Sequence, residues 1–169
     1  MSFAAPRGIV AALLSIAIVL AGCGGGSDPK ETGGDAKTYA TKVAAISTAT
    51  GDRLAALSDQ ADYRDAQAAS RSTRAYADAI AKAAAELRRA QPPAAAASLH
   101  ASLVKLYVRT AAALNALAVR FGAARDSVEL AQRAQELSSA VQRYSSQEQA
   151  LRAAIERALA DATTPTPRG

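Results

Sequence analysis

Chemistry at a protein site needs nucleophiles, bases or ligands held together, and this chain offers few of them. His100 is the only histidine and Cys23 the only cysteine. A zinc site built from several His or Cys therefore has too few ligands. Metal centres inside four-helix bundles use paired Glu-x-x-His elements, and no such element occurs. Met1 is the only methionine and sits in the N-terminal leader, which removes a His/Met haem pair. Serines are present, but no Gly-x-Ser-x-Gly elbow precedes a helix. Gly24-Gly25-Gly26 follows an apolar leader rather than a strand, so it is no phosphate loop. His100 lies one position past Leu99, off the centre of an apolar stripe, which predicts a partly solvated boundary residue rather than a base. The carboxylates fall into i,i+4 pairs: Asp78 with Lys82, Glu129 with Arg133, Glu148 with Arg152. Such pairs contribute about 0.2–0.5 kcal/mol each on a solvated helix face. The chain is expected to be no enzyme and to need no metal or cofactor.

Cys23 is the exception, because its surroundings mark it for modification. Arg7 gives residues 1–8 their one positive charge, and an apolar run broken only by Ser15 occupies 9–21. A membrane span needs about 20 predominantly apolar residues, and this run ends sooner, at Gly22-Cys23-Gly24-Gly25-Gly26. Glycines at that density extend a helix at a cost of about 1 kcal/mol each. A charged start, a short apolar run and small residues before a cut site are the marks of an export signal.

Leu20-Ala21-Gly22-Cys23 resembles the lipobox of bacterial lipoproteins, and all four positions fit. The resemblance implies cleavage between Gly22 and Cys23, a lipid on the Cys23 thiol, and in many bacteria a further acyl chain on its new amino group. Each buried methylene contributes about 0.8 kcal/mol, and two or more chains anchor stably where one does not. The implied location is the extracytoplasmic side of the cell membrane. In Gram-negative families an aspartate after the cysteine favours inner-membrane retention; Gly24 stands there, so an outer-membrane location remains open for such a source.

With Cys23 committed to lipid, the exported body has no disulfide and must be held by packing. The 169 residues, less the leader, suit one domain. The net charge of +5 is mild and does not argue for nucleic acid. Beyond Phe3, Phe121 is the only phenylalanine, and five tyrosines are scattered, so no platform for stacking bases exists.

The elements follow from composition and period. Residues 1–22 read as the signal peptide and 23–37, with five glycines after Cys23, as a flexible tether. Residues 38–161 form the expected bundle domain, and 162–169, with two prolines, a disordered tail. Within the body the spacing predicts a helix over 38–57, with Tyr39, Val43, Ile46, Thr50, Leu54 and Leu57 inward. A second is predicted over 62–90, capped by Asp62 or Asp65, with Tyr76, Ile80, Ala84 and Leu87 inward. Pro92-Pro93 breaks the pattern, and Pro93 suits the first position of a third helix over 93–120. Its stripe is Leu99, Leu103, Leu106, Thr110, Leu114, Leu117 and Phe121, with Gly122 as a left-handed stop. Asp126-Ser127-Val128-Glu129 resembles a capping box opening a fourth helix. Its inward residues, Leu130, Ala134, Leu137, Val141, Tyr144, Glu148, Leu151 and Ile155, lie close to a heptad seam with Glu148 as the polar member. Short connections favour antiparallel neighbours, so the expected fold is all-α, an up-down-up-down four-helix bundle behind an N-terminal tether. A long two-helix hairpin or coiled coil that needs a partner is the competing architecture.

One charge asymmetry stands out. The third helix has no acidic residue but carries Lys105, Arg109 and Arg120, which fall within about 60° of one another at 100° per residue. This ridge reads either as a surface for an anionic partner or as a solvated face neutralised by neighbouring acids. Partners of the first kind are lipid headgroups, an anionic envelope polymer or another envelope protein. A looser resemblance, carried by the lipobox, the Ala/Arg-rich helices, the Pro-Pro break and the leucine segment with His100, is to small alanine-rich actinobacterial lipoproteins; it implies no activity. Function is thus expected to be that of an anchored structural or interaction module; the alternative is a binder of a small apolar ligand or lipid in the bundle interior.

Overall fold

A computed structural model describes residues 35–163. The leader 1–22, the proposed cleavage at Gly22 and Cys23, the tether up to 34 and the tail from 164 lie outside the described residues. Four α-helices carry the described chain: α1 (Ala36–Gln60), α2 (Ala66–Arg88), α3 (Ala97–Gly122) and α4 (Ser127–Thr163). A 3-10 turn, Ala94–Ala96, leads directly into α3.

Each helix start has a local cause. Asp35 closes the first turn of α1, accepting from the Thr38 amide at 2.9 Å and its hydroxyl at 2.8 Å. The helix thus begins within the stretch read as tether. Of the two aspartates offered for α2, Asp65 is the cap, accepting from the Ala68 amide at 2.8 Å. Asp62 stays in the loop, where the Arg64 guanidinium at 2.7 Å holds its carboxyl down at about 2. Pro93 precedes the 3-10 turn in extended geometry instead of being the first helical residue. At α4, Asp126 accepts from the Val128 and Glu129 amides, while Glu129 reaches back to the Arg125 amide at 3.0 Å. This is a capping box displaced by one residue. Gly122 ends α3 without the left-handed conformation expected of it, and Ala123 after it is still right-handed. Its lack of a side chain serves packing, since a Cβ there would touch Ser70 Oγ at 3.4 Å.

Contacts at the helix ends fix the topology. Lys42, early in α1, reaches the carbonyl of Arg89 after α2 at 3.3 Å. Ser72, early in α2, exchanges hydrogen bonds with the backbone of Asp62 after α1. Gly122 passes Ser70, and Arg120 pairs with Glu136 at 2.6 Å, bringing the end of α3 beside the starts of α2 and α4. Consecutive helices are antiparallel, and the described chain is an up-down-up-down four-helix bundle.

The most extensive pair is α2 with α3. Ala69, Ala77 and Ala84 on one helix and Ala111 and Ala118 on the other are buried, so small side chains let the axes come close. The main core joins Val43, Ile46, Leu54, Ile80, Leu87, Leu103, Leu114 and Ile155, and a second cluster at the far end holds Ala69, Leu117 and Phe121 against Tyr63. By length and composition Ala94–Gly122 could cross a membrane, but Lys105 and Arg109 interrupt it and its stripe packs into this core.

The α1 stripe matches expectation from Tyr39 to Leu54. In α3 the buried line is rotated. Leu103, Leu114, Leu117 and Phe121 are buried as expected, but Leu99, Leu106 and Thr110 are only half-buried. His100, Tyr107 and Ala111 take the inner places, with Tyr39 of α1 meeting the His100 ring and Glu148 of α4 taking the Tyr107 hydroxyl. In α4 only Tyr144, Glu148, Ile155 and Leu159 are buried, and Ala134, expected inward, is exposed. The ion pairs that form also differ from the i,i+4 reading: Arg125 with Glu129, Arg133 with Glu136 and Arg120 with Glu136.

Candidate functional site

Two features gather polar side chains, and both involve α3 and α4. The first is an internal seam. Tyr107, fully buried on α3, donates to Glu148 Oε1 at 2.7 Å, and Ser47 on α1 approaches the same oxygen at 3.4 Å. Tyr144 packs edge-on to Tyr107 with ring centroids 5.4 Å apart. Burial pushes both tyrosine hydroxyls well above their ordinary value, so both stay protonated and able to donate. Gly51, Thr50 and Arg152 complete a cleft of about 30 Å³ beside Glu148, room for about one water. The arrangement ties α1, α3 and α4 into one register. It lacks the space to admit a substrate.

The second is a groove on the outer side of the α3–α4 pair, about 670 Å³ and open to solvent. Its floor is apolar: Leu114 and Tyr144 at the bottom, Leu106 and Leu151 on the flanks. Lys105 and Arg109 of α3 face Arg143 of α4 along its rim, and no carboxylate is among the described lining residues. Ala113, Ala140 and Ala150 keep the walls low.

No family model, curated protein or solved structure matches the chain.

The groove therefore has to be read from its own chemistry. Lys105 and Arg109, picked from the sequence as a cationic ridge, lie together on it. Arg120 does not: it lies beyond Leu114, where the α3 wall ends, and Glu136 holds its guanidinium at 2.6 Å. Arg143 replaces it as the third cation. The sequence signal for Arg143 was its place beside the inward Tyr144, at the edge of the α4 seam. Glu148 was visible as the polar member of that seam, but its donor Tyr107 was not. Among the described residues no group of three or more His, Cys, Asp or Glu gathers as metal ligands.

His100 departs from the boundary position expected for it. It is 7% exposed, and its Nδ1 lies 3.1 Å from the Tyr39 hydroxyl, with the rings edge-to-face at 5.7 Å. Burial pushes Tyr39 up to about 12, so the phenol stays protonated, and the ring tautomer of His100 sets which of the two donates. Burial lowers the His100 pKa, and the Leu87 backbone only partly opposes it. The folded value thus lies below the unfolded value of about 6.5. Protons bind the unfolded chain more readily, so the neutral-ring contribution is complete above about pH 6.5 and is lost as pH falls through the folded value. Urea midpoints measured from pH 7.5 to 5 should fall more steeply for the wild type than for His100→Gln. Parallel curves would show that His100 titrates alike in both states.

Proposed function

We propose that this chain is a lipid-anchored cell-envelope protein whose helical bundle serves as a protein-interaction module. The observation that carries the reading is Leu20-Ala21-Gly22-Cys23 at the end of an apolar run too short to span a bilayer. In this reading Cys23 bears the acyl chains, and residues 24–34 separate the bundle from the headgroups. At most about 3.3–3.6 Å per residue of extended chain sets how far the bundle can stand away. Supporting an interaction role is the open, cation-rimmed groove between α3 and α4. An apolar ligand held in the interior is the less favoured alternative, since neither the open groove nor the one-water cleft encloses such a molecule.

The test is Cys23→Ala in the full chain. Wild-type protein should partition with membranes and take up a palmitate label. The variant should accumulate as uncleaved precursor or appear in the soluble fraction, unlabelled. A mature N-terminus mapped away from Cys23, without lipid, would overturn the reading.

A further inference from the structure

We propose that the α3–α4 groove binds an acidic amphipathic helix of a partner protein, an inference that rests on the interaction-module reading above. Three properties of the groove lead to this occupant. The first is charge. Lys105, Arg109 and Arg143 stand on the rim, none of them in an ion pair among the described residues, and no described lining residue is acidic. By contrast the arginines beyond its end, Arg120 and Arg133, are both held by Glu136. The groove presents uncompensated positive charge over apolar surface, so its complement is apolar with a negative border.

The second is length and period. On α3 the lining runs from Ser102 to Leu114 and on α4 from Ala140 to Leu151, following one helix face on each. At 1.5 Å per residue each wall is about 17 Å long, which accommodates about three turns of a guest helix. Ser102, Ala113, Ala140 and Ala150 project little, so a third backbone can settle between the two.

The third is openness. A groove of about 670 Å³ would hold a small molecule by volume alone. An acyl chain lying here would keep much of its apolar surface in water, because the groove does not close over it. An amphipathic helix loses nothing by this. Its apolar stripe, at i, i+3/i+4 and i+7, meets Leu106, Leu114, Tyr144 and Leu151, and its polar face stays wet. Acidic residues flanking that stripe then meet Lys105, Arg109 and Arg143.

The test uses the full chain in zwitterionic nanodiscs and two synthetic helical peptides. Both peptides carry leucines at i, i+3 and i+7; one is flanked by Glu and the other by Lys. The Glu peptide should bind saturably, gain helicity on binding, and weaken as salt rises through the Debye regime. Its affinity should exceed that of the Lys peptide by about tenfold or more, and Arg109→Glu with Arg143→Glu should reverse the preference. Ala113→Phe, at an exposed groove position, should abolish binding of the Glu peptide while leaving the thermal melt unchanged. Equal affinity for the two peptides, or no saturation at about 1 mM, overturns the proposal. Binding of lyso-phosphatidylglycerol, blocked by Ala113→Phe, with no peptide binding overturns it in favour of a lipid. If the chain carries no lipid, the same peptide titrations are run on the full chain free in solution, so the groove and the anchor fail separately.

Discussion

Leu103→Ala should lower stability by about 2–5 kcal/mol, the loss typical of a large-to-small change in a closed core. Leu103 is fully buried in the main core, with packed neighbours to leave a cavity among. Against a total of about 5–15 kcal/mol this is a large fraction, and the melting temperature should drop by roughly 10–20 °C. Leu106 is three residues away but only half-buried, on the flank of the open groove. Water fills the space its side chain leaves, so Leu106→Ala should cost less than half as much. Lys105→Ala, on the exposed rim, should stay within about 0.5 kcal/mol. Thermal melts of the three variants check the order. Equal losses at 103 and 106 would mean that the buried face of α3 is not the one centred on His100, Leu103 and Tyr107.

Removing the Tyr107 hydroxyl should be the second large effect. Tyr107→Phe leaves Glu148 Oε1 with only the long contact from Ser47, while Glu148 remains 9% exposed. A buried acceptor deprived of its donor costs about 1–3 kcal/mol, more when charged. Glu148→Met alone should also destabilise, by orphaning the Tyr107 hydroxyl. The two together should cost less than their sum, because the double variant leaves neither group stranded. Urea unfolding of the full cycle measures the coupling, expected at about 0.5–3 kcal/mol. Additive losses would show that Tyr107 and Glu148 do not depend on one another.

The sequence was most informative where burial is decided locally. The α1 stripe from Tyr39 to Leu54 could be phased because one face carries every large apolar side chain. The helix caps at Asp65 and Asp126 were also legible, as backbone amides and aspartates three residues apart decide them. The phase of α3 was harder, since leucines occupy both the buried line and its flank. What selects between them is non-local: His100 and Tyr107 have polar tips, and only the partners Tyr39 and Glu148, from α1 and α4, allow those tips inside. For the groove, Lys105 and Arg109 were visible on one helix, whereas Arg143 required knowing how α4 lies against it. Arg120 left the set because the α3 wall ends at Leu114, and Glu136 on the neighbouring helix pairs with it.

The burial pattern of α4 has a consequence for the way the helices wind. A heptad seam repeats every seven residues, and it bends a pair of helices into a left-handed supercoil. The buried positions of α4 follow another rhythm: Tyr144 recurs at Ile155, and Glu148 at Leu159, eleven residues on. Eleven residues in three turns give about 3.67 per turn, above the 3.6 of a straight helix instead of below it. At 100° per residue the four positions still fall within about 60° of one another, so a straight α4 keeps them on one face without the supercoil a heptad seam requires. Leu130, Leu137 and Val141, placed for a seven-residue seam, lie before this face begins at Tyr144 and are only half-buried.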